Sequence, residues 1–396
     1  QAHLVSVMLR QQVILTREDA QGRVLQATQL QGAGALDALY ARAEQVPDLG
    51  ATAQPGRTTF AVWAPTAQRV HLCLYARPDA PATALEAMAR DDATGVWRAE
   101  AARNLRGHAY AYLVEVPVPG EGLVRNLVSD PYALGLIADS RRSVVVNLDD
   151  AALKPPGWDR HRSPARVRAP TDLVIYELHV RDFSLNDPGV PRVDRGKYRA
   201  FTHTSSHGMR HLRRLAQAGL TDVHLLPVFD IATIPETGCV SPDIAALRAA
   251  PDSPHQQALA GRHRADDCYN WGYDPWHYTV PEGSYASDAR DPARRIVEFR
   301  RMVQALHGAG LRVGMDVVYN HTTASGQHPK SVLDRIVPGY YHRLTAAGAV
   351  ERSTCCDNTA TEHRMMAKLM IDSAVVWARD YRIDSFRFDL MGHQPR

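Results

Sequence analysis

Arg387 and Asp389 lie two apart in the stretch Phe386-Arg387-Phe388-Asp389, and on an extended strand residues two apart share a face. Phe386 and Phe388 then face the other way, free to pack against a helical layer. A guanidinium beside a carboxylate favours the anion, and a positioned carboxylate anion is a nucleophile. A structural ion pair is an equally good reading of these two residues in isolation. The stretch Asp316-Val-Val-Tyr-Asn320-His321 repeats the arrangement, with Asp316 inside an apolar run and two polar residues just beyond it. An Asp in such a run is costly unless partnered, so it is expected to meet Asn320, His321 or Arg387. A third cluster spans 269–285, where Tyr269, Trp271, Tyr273, Trp276, Tyr278 and Tyr285 alternate with Gly, Pro and Asp. Aromatic faces joined by polar groups suit a sugar, whose C–H faces stack on rings while its hydroxyls need partners. The same rings could instead form a small core that pins a long loop.

The elements that would position these residues are legible as a cycle. Residues 171–180 form a near-continuous apolar run, as a strand buried on both faces requires. Residues 211–220 have helical spacing and end on glycine, and 221–230 read as strand again. A helix near 292–309 leads to a strand at 311–321, and a helix near 361–380 leads to the strand carrying Arg387 and Asp389. Strand, helix, glycine and strand in repetition predict a parallel sheet. No Gly-rich phosphate loop follows the first strand, which argues against a dinucleotide-binding sheet. Polar residues gather instead at the strand ends: Glu177, His179 and Arg181; Asp230; Asp316, Asn320 and His321; Arg387, Asp389 and His393. In a (β/α)8 TIM barrel that is the end where chemistry is built.

Upstream the texture is different. From Thr58, short runs with alternating apolar residues (Phe60, Val62, Val70, Leu72, Leu74) and turn signals predict a small immunoglobulin-like β-sandwich over 55–150. The expected fold is thus multi-domain, a β-sandwich module followed by a partial (β/α)8 barrel over 171–396. The Pro-punctuated segment within 151–170 reads as a linker, and 1–54 as the end of an upstream piece whose first residues alternate like a strand.

Composition narrows the class. At 396 residues the chain exceeds one core, and 45% hydrophobic with 22% charged residues is ordinary for a folded, water-exposed protein. A net charge of +3, from 46 basic and 43 acidic residues mixed along the chain, offers no concentrated field for nucleic acid. No apolar stretch approaches the roughly 20 residues of a membrane helix. The five cysteines are too irregularly spaced for a disulfide framework or a zinc motif, so buried or free thiols are expected, Cys355 and Cys356 included.

The segments 269–275 (YNWGYDP), 316–321 (DVVYNH) and 386–393 (FRFDLMGH) resemble those of type I pullulanases, debranching members of glycoside hydrolase family 13 in the α-amylase superfamily. The likeness runs from about Thr58 to the end, and 58–148 is similar to a family 48 carbohydrate-binding module. The resemblance implies endo-hydrolysis of α-1,6-glucosidic linkages in pullulan, starch or glycogen by a retaining mechanism. It implies Asp389 as nucleophile, Arg387 as the residue that holds it, and His321, Asp316, Tyr273, Asn320, Trp271, Asp274 and His393 as the substrate-binding set. The general acid, a Glu on a later barrel strand, is expected beyond this sequence, so the chain is expected to be a fragment ending after the fourth barrel strand and nearly inactive alone. Neither Glu177 nor Glu282 is placed to substitute. No redox or nucleotide cofactor is implied; family members can bind calcium, but no ligand set is legible. The expected partner is an α-glucan, and the compartment is left open between secreted, periplasmic and cytoplasmic. An isoamylase, a glycogen-debranching or branching enzyme, and a non-catalytic α-glucan-binding protein are the alternatives.

Overall fold

The computed structural model describes residues 2–395. Two antiparallel sheets form the sandwich. One has the order Ala89–Arg90, Val96–Ala101, Arg57–Trp63, Gly50–Gln54. The other has the order Gly122–Val128, Ala109–Val118, Arg69–Tyr75, Ala84–Ala87, with Ser143–Val144 added on Ala109–Val118. Phe60, Val62, Val70, Leu72 and Leu74 are all buried between them, as their alternation demands. The sandwich begins at Gly50, because Gly50–Gln54 pairs with Arg57–Trp63 through a tight turn. Trp63 is buried as well, since its ring meets Tyr340 of the following domain at 4.6 Å.

Four parallel strands follow, in the order Ile175–Leu178, Asp222–Leu225, Arg312–Val317, Ser385–Phe388. Helices His207–Gln217, Pro292–Gly308 and Arg364–Asp380 connect them, each matching a predicted helical run. Ser206 caps the first by accepting the Met209 N–H, and Asp291 caps the second by accepting the Ala293 N–H. Gly310, at φ 86°, closes the second helix in a conformation that a side chain would resist. The central strands are buried except at His224, with Val223, Leu225, Val313 and Met315 all at 0% exposure. The first barrel strand stands at the edge of the four-stranded sheet that these residues form, which leaves Ile175 and Tyr176 exposed there.

Three expectations need correction. Residues Ala2–Met8 form a helix, not a strand: Val5 and Leu9 recur at helical spacing and turn inward together, a period masked by the alternation of Val5, Val7 and Leu9. The Pro-rich stretch after the sandwich is no free linker. Trp158 is buried in it, and the buried Arg300 lies over the Trp158 ring while donating to the carbonyls of Leu148 and Leu153. The cysteines pair: Cys239 with Cys268 across the long excursion between the second and third barrel strands, and Cys355 with Cys356. Tertiary folding, not sequence spacing, brings Cys239 and Cys268 to 5.0 Å between Cα atoms. Cys73 is the buried free thiol among the described residues.

Sandwich and barrel meet across a polar seam. Ser129 Oγ lies 2.7 Å from His277 Nε2, and His277 Nδ1 lies 2.6 Å from Asp230 Oδ2. Asp139 and Glu236 exchange backbone and carboxylate hydrogen bonds, and Arg295 reaches Glu236 at 2.8 Å. Next to Ser129, the buried Asp130 accepts the hydroxyls of Tyr110 and Tyr112 and the N–H of Tyr132. Burial pushes its carboxyl up to about 6, against the pull of those three donors. The sign follows from linkage. The folded state holds this proton above the pH at which the unfolded chain releases it, so its contribution is full below about pH 4 and lost as pH rises through about 6. The Asn in Asp130→Asn mimics the protonated form, and the two phenol hydroxyls can rotate to accept from it. Its stability relative to the wild-type chain should therefore rise by about 3 kcal/mol between pH 4 and pH 7. Urea denaturation at a series of pH values measures this; a constant difference would show that Asp130 does not titrate in that window.

Candidate active site

The third and fourth barrel strands are in register so that Asp316 is the direct Cα partner of Arg387. Arg387 Nη1 donates to both carboxylate oxygens of Asp316, at 3.0 and 2.8 Å, and to Asp389 Oδ1 at 2.9 Å. The Asp389 N–H still bonds to the Val317 carbonyl, continuing the ladder one residue past the strand. Leu390 then adopts φ 44°, a left-handed turn that costs an ordinary residue roughly 1–2 kcal/mol, so the chain leaves the sheet abruptly behind the carboxylate.

Asn320, fully buried, clamps Asp389 from the other side: its Nδ2 donates to the backbone carbonyl at 2.8 Å and to Oδ2 at 3.1 Å. With its amide nitrogen so committed, its carbonyl faces His321 Nδ1 at 2.6 Å. His321 Nε2 faces the Tyr273 carbonyl at 3.1 Å, and the Tyr273 hydroxyl donates to Asp316 Oδ2 at 2.6 Å. Tyr273, Asp316, Arg387, Asp389, Asn320 and His321 thus form a closed ring of contacts. Asp316 meets Arg387, as expected, and Tyr273, but Asn320 and His321 serve Asp389 and Tyr273 instead.

Electrostatics follow from burial. Asp316 is raised by desolvation, opposed by the hydrogen bonds of Tyr273 and Arg387. Burial works against the Arg387 cation too, but hydrogen bonding and attraction from Asp316 outweigh it and hold the guanidinium charged. Desolvation, then the hydrogen bond to Asp316, raises the Tyr273 phenol, which stays protonated as a donor. Burial lowers His321, favouring neutral imidazole. Asp389 keeps its side chain mostly buried at 13% exposure, beside a guanidinium that is half open.

The remaining expected residues lie outside the ring. Trp271 is exposed at 62%, two residues before Tyr273 and free to meet a ligand. Asp274 contributes a negative charge near His321, and its carbonyl accepts the Ala232 N–H. His393 contacts the 353 loop, with Nδ1 3.4 Å from Ser353 Oγ. Tyr278 and Tyr285 are core residues, so part of the aromatic stretch packs the interior of the long excursion.

Two features escaped the sequence. One is the Cys355–Cys356 bridge, whose Cys355 Sγ is 4.0 Å from His321 Nε2. The other is a buried trio, Asp230, Glu236 and Glu282, with carboxylate oxygens within 4.8 Å of one another. Burial first, then the charges of Glu236 and Asp230, pushes Glu282 up to about 8. That would suit an acid, but Glu282 is fully buried and its two oxygens accept the N–H groups of Ser284 and Ile231. All six oxygens of the trio already have protein partners, and Arg295 supplies positive charge, so the donor set does not fit a calcium ion. Acidic residues this far apart in sequence carry no spacing signal that could have found the trio.

Residues 1–38 match the pullulanase N2 domain and residues 48–133 match carbohydrate-binding module 48, the isoamylase N-terminal domain. The chain is 46% identical over 393 residues to "Pullulanase 1, chloroplastic" of Arabidopsis thaliana, covering 98% of this chain and 40% of that protein. It is 42% identical to the pullulanase of Klebsiella pneumoniae, covering 99% of this chain and 40% of the relative. The crystal structure of Klebsiella pneumoniae pullulanase complexed with maltotriose superposes with a TM-score of 0.92 at 41% identity, over 99% of this chain and 41% of that one. This chain therefore spans about two fifths of the length of the curated relatives it matches.

Tyr273→Phe removes one oxygen from the ring and one of the donors that offset the burial of Asp316. It should cost about 2 kcal/mol in chemical denaturation, the scale of a hydrogen bond to a charged group. An unchanged midpoint would mean that the hydroxyl does not support the carboxylate.

Proposed function

Because this chain is homologous over nearly its whole length to type I pullulanases of glycoside hydrolase family 13, we propose that it is the nucleophile-bearing part of an enzyme that hydrolyses α-1,6-glucosidic branch points in pullulan, starch or glycogen. The observation that carries the reading is the two-sided grip on Asp389, by Arg387 at 2.9 Å and by Asn320 at 3.1 Å. A carboxylate held so cannot rotate away, and it stands one residue past the last ladder pair of its strand, at the strand end.

In this mechanism Asp389 attacks the anomeric carbon and forms a covalent glycosyl-enzyme, which water then hydrolyses with retention of configuration. Arg387 holds the nucleophile in aim through its 2.9 Å hydrogen bond to Asp389 Oδ1. The Tyr273 ring stacks on the sugar in the cleavage subsite, while neutral His321 and the exposed edge of the ring bond its hydroxyls. Trp271 and Asp274 extend the contact surface, and His393 steadies the loop at its margin. The general acid is a Glu supplied from another part of the protein, about 5–5.5 Å from Asp389 as retention requires. The sandwich, similar to carbohydrate-binding module 48, adds α-glucan contacts. No step calls for a redox or nucleotide group.

The test uses the full-length parent protein acting on pullulan. Wild-type protein should release maltotriose, and Asp389→Asn should lower turnover on the order of 10³-fold or more. Activity unchanged by that substitution excludes Asp389 as nucleophile. Cleavage of branched glucan without maltotriose from pullulan would point to an isoamylase-type specificity instead.

A further inference from the structure

The strand His321–Thr322 pairs antiparallel with Asp357–Asn358, with His321 opposite Asn358. The loop just before Asp357 carries Cys355 and Cys356, and it is tied down locally. Thr354 Oγ1 donates to Asn358 Oδ1 at 2.6 Å, Asn358 Nδ2 to Ser353 Oγ at 2.7 Å, and Arg352 Nε to Asp357 at 2.6 Å. Two sulfurs are therefore presented at a set place beside a buried imidazole. One ligand atom each from His321, Cys355 and Cys356 lies within 4.8 Å of the others.

Tetrahedral zinc has Zn–S near 2.3 Å and Zn–N near 2.0 Å, so its S···S and S···N edges are about 3.7 and 3.5 Å. The observed 4.0 Å from Cys355 Sγ to His321 Nε2 is already close to such an edge. The imidazole is oriented for it. Asn320 Oδ1 takes the proton of Nδ1 at 2.6 Å, as a partner behind a metal-bound histidine does. Nε2 is then left with a lone pair facing the Tyr273 carbonyl at 3.1 Å, a repulsive contact that a cation would relieve.

We propose that reduction of the Cys355–Cys356 bond creates a binding site for one thiophilic divalent cation of the Zn²⁺ class, held by the two thiolates and His321 Nε2. The chemistry balances with a dithiol as reductant. The protein disulfide takes two electrons and two protons and becomes two thiols, and the dithiol closes to its own disulfide. Metal binding then displaces the two thiol protons to solvent. Three protein ligands leave the fourth position to water. In the oxidised chain the sulfurs are bonded to each other and the site does not exist. Where the ion binds, it occupies the imidazole nitrogen assigned above to the sugar; that consequence rests on the proposed function, whereas binding itself does not.

Cd²⁺ serves as probe, because its thiolate complexes absorb in the ultraviolet. The purified chain is titrated as isolated and after treatment with a dithiol that is then removed. One equivalent of Cd²⁺ should bind to the reduced chain, displaceable by Zn²⁺, and none with this absorbance to the oxidised chain. Reduction also opens Cys239–Cys268, so two double variants separate the pairs. Cys239→Ser with Cys268→Ser should retain the signal, and Cys355→Ser with Cys356→Ser should lose it. His321→Ala should weaken binding at least about tenfold. Alkylation of the reduced wild-type chain with and without Cd²⁺, mapped by peptide mass spectrometry, needs no variant and should show protection of Cys355 and Cys356. Binding by the oxidised chain, none by the reduced one, protection confined to Cys239 and Cys268, or unchanged affinity in His321→Ala would each overturn the proposal.

Discussion

A carboxylate inside an apolar strand is the constraint from which the site follows. Asp316 is nearly fully buried, and a charge in that position is tolerated only with positive charge and hydrogen-bond donors at contact distance. Arg387 meets the need because it is the direct partner of Asp316 in the ladder. A slip of one residue would bring Phe386 or Phe388 opposite the carboxylate and strand it, so the ion pair and the apolar faces select the same register. Once that register is set, Asp389 falls one step beyond the last ladder pair, within reach of the same guanidinium.

The ring closes through two segments that do not belong to the strands. Asn320 and His321 follow the third strand directly, and Tyr273 arrives on the long excursion between the second and third strands. That excursion is anchored by its own interior residues: Tyr278 and Tyr285 are buried, and His277 joins Asp230 and Ser129 in the seam with the sandwich. The sandwich is thereby more than an appended module. Its polar edge helps to hold the segment that brings Tyr273 to Asp316.

Particular residues show what was legible in advance. The parallel strands and their helices were readable because apolar periodicity reports one face of one element, and the motif residues were readable because strand ends are where polar side chains gather. The helix Ala2–Met8 was misread because a short apolar run satisfies two periods at once. Trp158 looked like part of a linker because proline content says nothing of what a neighbouring Arg300 can hold.

By itself the sequence determined the order and type of the main elements, the alternation that buries Phe60, Val62 and Leu72, and the placement of Arg387 and Asp389 on one side of one extended segment. Those are local properties, set by backbone geometry and side-chain period. Tertiary structure decided which residues meet across long separations: Tyr273 with Asp316, Asn320 with Asp389, Cys239 with Cys268, Cys355 with His321, and the trio Asp230, Glu236 and Glu282. Such contacts depend on register, loop path and domain docking, each fixed by the sum of many weak burials that no short stretch of sequence contains.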